Sequence, residues 1–525
     1  MLLTLACSGK PIAVSVVPEP AKALTCSTTQ FTATVTGTSD TAVEWSSSPG
    51  SIDAQGKYRS PPVTPSPASA KVTAASHADP TMSASADVTL ATAFPGAAAA
   101  VTGTGGFNNV AGATGVYPHA TASSGNRLYA AWAENPPGLA QVRLKIGRSD
   151  DGGATWKAPV VAIQADLPGG AGAGWLECPA IAVDASSADV VYAVAHISTD
   201  NSLYTSTASL DSGATLAFAV STDGGATFST KVLHVGTGDI CPDVASPSAN
   251  TVVVASPGWS SCTGGQRDVF VWSDANRGAA FAGGATAANE YFAAGYTSSL
   301  DHLAGAGCGP SHVSIESNGG TDLSGQASEA PRLTVDNAGG LCVSYIGDPD
   351  SASGSTVPRA HVQCSTDAGK TFSAGTSFGG ALALSSAIAP LGPNGAGALI
   401  WASTDSSNTF YINTTTDRWQ TPVNSFQRIP TYVPLAGASG PPINPTALYD
   451  SSGVLWLAYR TGDGLRIVVD KSCDGGAAWS GPALVNGPEP SPVELRWPSL
   501  APTSSAAPRV TAWAAGQISS YALAP

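Results

Sequence analysis

Apolar positions along this chain recur in short alternating runs and never in the three-and-four spacing of a helix face. Between Ile12 and Ala91 the runs IAVSVVP, TTQFTATVTG, AVEWSSSPG, KVTAASH and SADVTLA are separated by clusters of Gly, Pro, Ser and Asp. This is the pattern of short strands joined by turns, and with Trp45 available to fill a core it predicts a β-sandwich over residues 11–93. From residue 117 onward a second pattern takes over, in which a Pro leads a strand and a turn follows. A second, more continuously apolar strand comes next. YPHATASSGNRLYAAWAE, ECPAIAVDASSADVVYAVAH, CPDVASPSANTVVVASPGW, EAPRLTVDNAGGLCVSYIG, NPTALYDSSGVLWLAYRTG and WPSLAPTSSAAPRVTAWAAG all follow it, and SSAIAPLGPNGAGALIWAS is a weaker copy. A phrase repeated on this scale marks a repeat architecture in which each copy is one small sheet.

A third recurrence lies between the copies. Ser149 to Trp156, Ser221 to Phe228 and Ser365 to Phe372 share the template S-x-D-x-G-x-T-[WF]; Ser472 to Trp479 differs by losing the Thr, and Ser273 to Phe281 and Thr414 to Trp419 are fainter echoes. The residue types describe a hairpin turn. An Asp (Asp151, Asp223, Asp367, Asp474) accepts hydrogen bonds from turn N–H groups, Gly supplies positive φ, and the closing aromatic buries itself beside the strand. The octet resembles the Asp-box, or BNR repeat, of sialidase-type β-propellers, where it joins the third and fourth strands of a blade and is structural. The resemblance implies an all-β propeller over residues 117–525, seven-bladed with six blades as the runner-up, its last blade completed by a strand from near Gly105 within a linker at 94–116. The phrases of residues 11–93 resemble the bacterial Ig-like domains that serve as spacers on surface proteins.

In such a ring the residues flanking the repeated prolines converge at the axial face. Tyr117, His119, Trp175, Glu177, Asp239, Glu329, Asn444, Arg496 and Trp497 form that set. Loops after the second strands add Trp132, Glu134, Trp259, Asp348, Trp401, Asp405 and Arg460. Carboxylates, indoles and arginines together suit sugar recognition, by ring stacking and by hydrogen bonds to hydroxyls. Glu177, Asp239 and Glu329 are the candidates for catalysis, and crowded carboxylates raise one another's pKa or recruit Ca²⁺; no other cofactor is expected. The resemblance also implies a test: sialidases of this kind hold the substrate carboxylate with three arginines, and only Arg460 and Arg496 stand in the candidate set. The phrase Phe426-Gln427-Arg428-Ile429-Pro430 is similar to the family's arginine motif but comes late and carries an inserted Gln. No catalytic residue is therefore carried over. The reading is a non-catalytic glycan- or protein-binding propeller, the alternative a sialidase-like glycoside hydrolase or polysaccharide lyase at the same face. The stretch from Gly283 to Ser328, with Asn289-Glu290-Tyr291, His302, Cys308 and His312, is expected to fold over that face.

Composition narrows the partners. The 525 residues carry 58 Gly and 39 Pro but only 11% charged residues, which excludes a coiled coil or helical bundle. A net charge of −14 leaves no basic stripe for nucleic acid or an anionic membrane surface. No apolar run reaches the ~20 residues of a membrane-spanning helix. Residues 1–10, Met-Leu-Leu-Thr-Leu-Ala-Cys-Ser-Gly-Lys, resemble the end of a bacterial lipoprotein signal, which implies a lipid-anchored Cys7, an extracytoplasmic protein and a bacterial cell-surface or secreted location. The other cysteines match no zinc spacing; Cys342 with Cys364, and next Cys241 with Cys262, are the expected disulfides.

Overall fold

The computed structural model describes residues 10–91, 98–100, 119–134, 139–166, 175–198, 215–235, 241–260, 266–279, 281, 298–299, 331–336, 339–347, 359–370, 372, 376–378, 383–389, 397–403, 410–419, 427–429, 443–461, 466–480, 482–485, 498–503, 508–514 and 517–523. Among them every regular element is a strand, and no helix is long and apolar enough to cross a membrane. Two compact units emerge: residues 1–94 with 471–481 and 524–525, and residues 95–470 with 482–523.

In the first unit Ala13–Val17 pairs with Thr32–Thr36, while Ala21–Leu24, Ser83–Ala91, Ser69–Ser76 and Val43–Ser48 form a four-stranded sheet in that order. Thr28–Gln30, Lys57–Arg59 and Ser51–Ile52 make a third sheet. The alternation read from the sequence is what builds its core. Val72, Ala74, Ala86, Val88 and Leu90 point inward with Phe31 and Tyr58, and Trp45 packs against them. A disulfide joins Cys26 to Cys473, a pairing the spacing of cysteines did not announce.

The second unit holds, among the described residues, seven four-stranded antiparallel sheets. In six of them the strands follow chain order. Sheet 1 is His119–Ser124, Arg127–Glu134, Gln141–Ser149 and Val160–Asp166; sheet 2 is Trp175–Asp184, Ser187–Ser198, Thr215–Ser221 and Ser229–Val235. Sheet 3 is Asp243–Ala245, Val252–Ser260, Gln266–Asp274 and Ser298–Ser299; sheet 4 is Arg332–Val335, Leu341–Gly347, Arg359–Ser365 and Thr376–Phe378. Sheet 5 is Ala383–Ala389, Gly397–Ser403, Phe410–Thr415 and Gln427–Arg428; sheet 6 is Ile443–Tyr449, Leu455–Arg460, Ile467–Ser472 and Ala483–Leu484. Sheet 7 breaks the order. Ser499–Ala501, Arg509–Ala514 and Gln517–Ala522 take their fourth strand from Ala98–Ala100, with Ala98 opposite Tyr521. The closing strand is thus this one and not one near Gly105, which lies outside the described residues.

Successive sheets pack face to face. Tyr129, Ala131 and Ile146 of sheet 1 meet Ile181, Val191 and Ala193 of sheet 2, whose opposite face, with Tyr192, Val194 and Phe218, meets Val252, Val254 and Trp272 of sheet 3. The same layering joins sheet 3 to sheet 4 and sheet 4 to sheet 5. A second strand buried on both faces cannot alternate, which is why LYAAWA and VVYAVA read as continuous apolar runs. Each fully buried Val, Leu or Tyr adds roughly 1.5–3 kcal/mol of transfer free energy. Trp132 and Trp401, expected at the axial face, are buried, Trp401 in the layer between sheets 4 and 5 against Phe378 and Tyr411. Both lie inside a second strand and not in the loop after it.

The boxes follow third strands, as the resemblance implied. Ser149 Oγ accepts the Gly153 N–H at 2.8 Å and donates to Asp151 Oδ1 at 2.7 Å, while Asp151 takes the Thr155 N–H at 2.9 Å and the Thr155 hydroxyl at 2.6 Å. Ser221, Asp223, Gly225 and Thr227 repeat this pattern, and Ser365 with Asp367 and Ser472 with Asp474 keep its core. Thr415 with Asp417 makes the same turn with Thr in place of Ser. The echo at Ser273 does not, since Asp274 follows it directly.

Candidate functional site: a cavity shared by seven strands

The first strands of the seven sheets lie side by side and border one cavity of about 410 Å³. Direct bonds tie the neighbours together. The Ala185 N–H donates to Ser246 Oγ at 3.2 Å between sheets 2 and 3, and the Leu333 N–H donates to Asp243 Oδ2 at 2.8 Å between sheets 3 and 4. Between sheets 7 and 1, Ser499 Oγ and Thr121 Oγ1 are 2.7 Å apart, and the Thr121 N–H reaches the same Ser499 oxygen at 3.2 Å. The disulfide Cys178–Cys241 links sheet 2 to the segment leading into sheet 3. Cys241 therefore pairs with Cys178 and not with Cys262, which lies outside the described residues. Cys342–Cys364 forms as expected, across the second and third strands of sheet 4.

The repeated Pro sets the level at which side chains reach the cavity. It removes a backbone donor and fixes φ, just before the first strands of sheets 3, 4 and 7 and within those of sheets 2 and 6, and the residue after it reaches the inner wall. Those residues are Ala180, Asp243, Arg332, Thr446 and Ser499, all of which line the cavity. Asp243, Arg332, Thr446 and Ser499 are half-buried, and the rest of the wall is largely aliphatic, with Ile181 and Ile388 prominent. Asp243 is the one carboxylate and Arg332 the one cation among the described lining residues. Burial pushes the Asp243 carboxyl above its ordinary value, opposed by the Arg332 charge and by N–H donation from Leu333 and Val244. At the far end of the first strand of sheet 6, burial pushes the Tyr449 phenol up to about 12, so it is a neutral hydroxyl at any physiological pH.

The residues expected at this face fall into three groups. Tyr117, Asp239, Glu329, Arg496, Trp497, Asp348 and Asp405 lie outside the described residues, as do Cys7, His302, Cys308 and His312. His119, Trp175 and Glu177 stand at the leading ends of the first strands of sheets 1 and 2, with Glu177 opposite His196 in register; Trp259 falls within the second strand of sheet 3. Arg460 closes the second strand of sheet 6, opposite Ile443 and beside the buried Asn444. Glu134, at the corresponding end in sheet 1, is held by Lys145 at 2.8 Å. The Gln427-Arg428 pair forms the outermost strand of sheet 5, the far edge from the cavity. Among the described residues no cluster of His, Cys, Asp and Glu is arranged to hold a metal ion.

Asp243 and Arg332 did not stand in the expected set, although the signal was present: in four of the phrases, at His119, Asp243, Arg332 and Ser499, the residue after the repeated Pro is the first of the inner strand. A second repeated aspartate also went unread. Asp184, Asp336 and Asp450 stand five residues after that Pro and close the turn at the opposite end of the strand. Asp450 accepts from Ser452, Val454 and the Trp456 indole, and Asp336 bonds Arg418 of the next sheet. Burial pulls the Asp184 carboxyl up, but donation from Ser186, Tyr192 and the Asn250 N–H outweighs it and leaves the group below its ordinary value. These carboxylates are structural.

No family model matches the chain, and no curated protein does. Among solved structures, a protein of unknown function from Dyadobacter fermentans DSM 18053 is 13% identical over 67% of this chain and 95% of that one, with a TM-score of 0.43. The Hadza microbial sialidase Hz136 is 14% identical over 86% of this chain and 72% of that one, TM-score 0.41. An α-L-arabinanase from Penicillium chrysogenum is 13% identical over 82% and 98%, TM-score 0.42. Likenesses this distant assign neither a family nor an activity to the chain.

Proposed function

We propose that the protein is an extracytoplasmic ligand-binding propeller: an Ig-like module followed in the sequence by seven sialidase-like blades, which take a glycan through the axial face into the cavity bounded by the seven inner strands. The observation that carries this reading is the rim level of that cavity. A carboxylate, a guanidinium-bearing residue and several hydroxyl residues, Thr446 and Ser499 among them, line a space that they share with aliphatic side chains such as Ile181 and Ile388, within the ~300–1,000 Å³ range of small-molecule sites. Sugar hydroxyls need paired donors and acceptors, and sugar C–H faces need apolar wall; the lining supplies both. Three disulfides among the described residues support an oxidising compartment. A lipid anchor on Cys7 and a surface-protein partner remain part of the proposal.

Glycoside hydrolysis uses two acidic groups, about 5–10 Å apart, and the described wall supplies one, Asp243. The alternative hydrolase or lyase would draw its second group from Glu177, Asp239 or Glu329. A glycan array followed by calorimetry on the hits tests the proposal. Micromolar or tighter binding, lost in Asp243→Ala and Arg332→Ala proteins that melt normally, supports it; release of reducing ends from the hits favours the alternative; no hit on a broad array overturns the glycan reading.

A further inference from the structure

Asp243 and Arg332 carry a consequence for which sugars can enter. Leu333, the residue after Arg332, donates its N–H to Asp243 Oδ2 at 2.8 Å, so the carboxylate of sheet 3 lies against the first turnless step of the sheet 4 strand that Arg332 leads. Asp243 Oδ1 accepts the N–H of Val244 at 2.9 Å. These two bonds aim the carboxylate along the strand starts and fix it in place. Asp243 and Arg332 line the same cavity and carry opposite formal charges.

We infer that the cavity selects neutral, hydroxyl-bearing sugars over acidic ones, and that adjacent hydroxyls of one sugar ring bridge Asp243 and Arg332. The inference rests on the glycan reading above. A vicinal diol matches the pair: one hydroxyl donates to the carboxylate and the next accepts from one of the guanidinium's five N–H donors. A sugar carboxylate meets the pair differently. It would gain Arg332 but lie beside Asp243, where two like charges repel and raise one another's pKa. Thr446 and Ser499 add hydroxyls that accept or donate without adding charge, and Ile181 and Ile388 offer apolar wall to the ring's C–H face.

The charges make the inference testable by exchange of one of them. Titration calorimetry on the full chain would compare neutral cello-, xylo- and arabino-oligosaccharides with oligogalacturonate and sialyllactose of similar length. The wild-type chain is expected to bind at least one neutral series about tenfold or more tighter than any acidic sugar. Asp243→Asn removes the negative charge that an acidic sugar would meet and is expected to narrow or reverse that preference, whereas Arg332→Gln weakens neutral sugars further without admitting acidic ones. Should Asp243→Asn fail to fold, Thr446→Val supplies the second arm, with weaker neutral binding and an unchanged order of preference. A wild-type chain that prefers acidic sugars overturns the inference and leaves the glycan reading standing. A chain that binds neither class removes both.

Discussion

Ser149 shows how much one hydroxyl does in this chain. It is fully buried, takes the Gly153 N–H and gives its proton to Asp151, so replacing it with Ala strands a buried donor and loosens the carboxylate that holds Thr155. Ser149→Ala is expected to cost about 1–3 kcal/mol, read from the denaturant midpoint at unchanged slope. Gly153 is as constrained. Its φ is +84°, and a Cβ there would stand 2.6 Å from Arg509 Nε, so Gly153→Ala adds backbone strain to a side-chain shift. Donation from Thr155 and Ser149 holds the Asp151 carboxyl down at about 2, and the same bonds lower Asp223. A depressed carboxylate pKa contributes stability above the unfolded value of about 3.9, and that contribution is lost as pH falls toward the folded value. Unfolding midpoints measured from pH 5 to pH 2 should therefore drop more steeply in the wild type than in Asp151→Asn. Asp243 has the opposite sign: its raised pKa favours the fold at low pH, and the contribution disappears as pH rises through the folded value. The boxes were legible in the sequence because their chemistry is local, four hydrogen bonds within eight residues. Asp243 and Arg332 were not, because their meaning lies in a bond between two sheets whose strands are far apart in the chain.

At the scale of elements, the repeated Pro phrase announced each inner strand and the apolar run after it each second strand. Outer strands were harder to read. Ser298–Ser299, Gln427–Arg428 and Ala483–Leu484 are two residues long and follow no apolar period, since an outer strand has little core to bury. Trp132 and Trp401 read as loop residues for a related reason: an indole near a strand end looks like part of the following loop until the register sets it inside the second strand, where it is buried. Cys342 and Cys364 face each other across one antiparallel pair, a contact that adjacency of the two phrases already suggested. With a sequence separation of 22, this disulfide is expected to add about 3 kcal/mol, and a Cys342→Ala, Cys364→Ala double variant should lose that amount in equilibrium unfolding under oxidising conditions.

Over the whole second unit, closure depends on a strand from the wrong end of the chain. Ala98–Ala100 covers the edge of Gln517–Ala522 through three residue pairs, so sheet 7 joins residues separated by most of the sequence. A chain beginning at residue 102 is expected to be about 2–4 kcal/mol less stable than one beginning at 95, with amides of Gln517–Ala522 exchanging early. Composition pointed to the all-β class, and repetition to one sheet per phrase. The position of the closing strand was invisible because three alanines carry no pattern, and the pairing of Cys178 with Cys241 was hidden because the cysteines lie in different phrases.

The central claim is that the seven inner strands enclose one sugar site with Asp243 and Arg332 at its rim. A crystal structure of the chain soaked with the best neutral oligosaccharide from the binding series tests it most directly. The account predicts a sugar ring within the cavity, with adjacent hydroxyls at hydrogen-bond distance from Asp243 and Arg332. A sugar bound elsewhere on the chain, with the cavity holding only water, would contradict it.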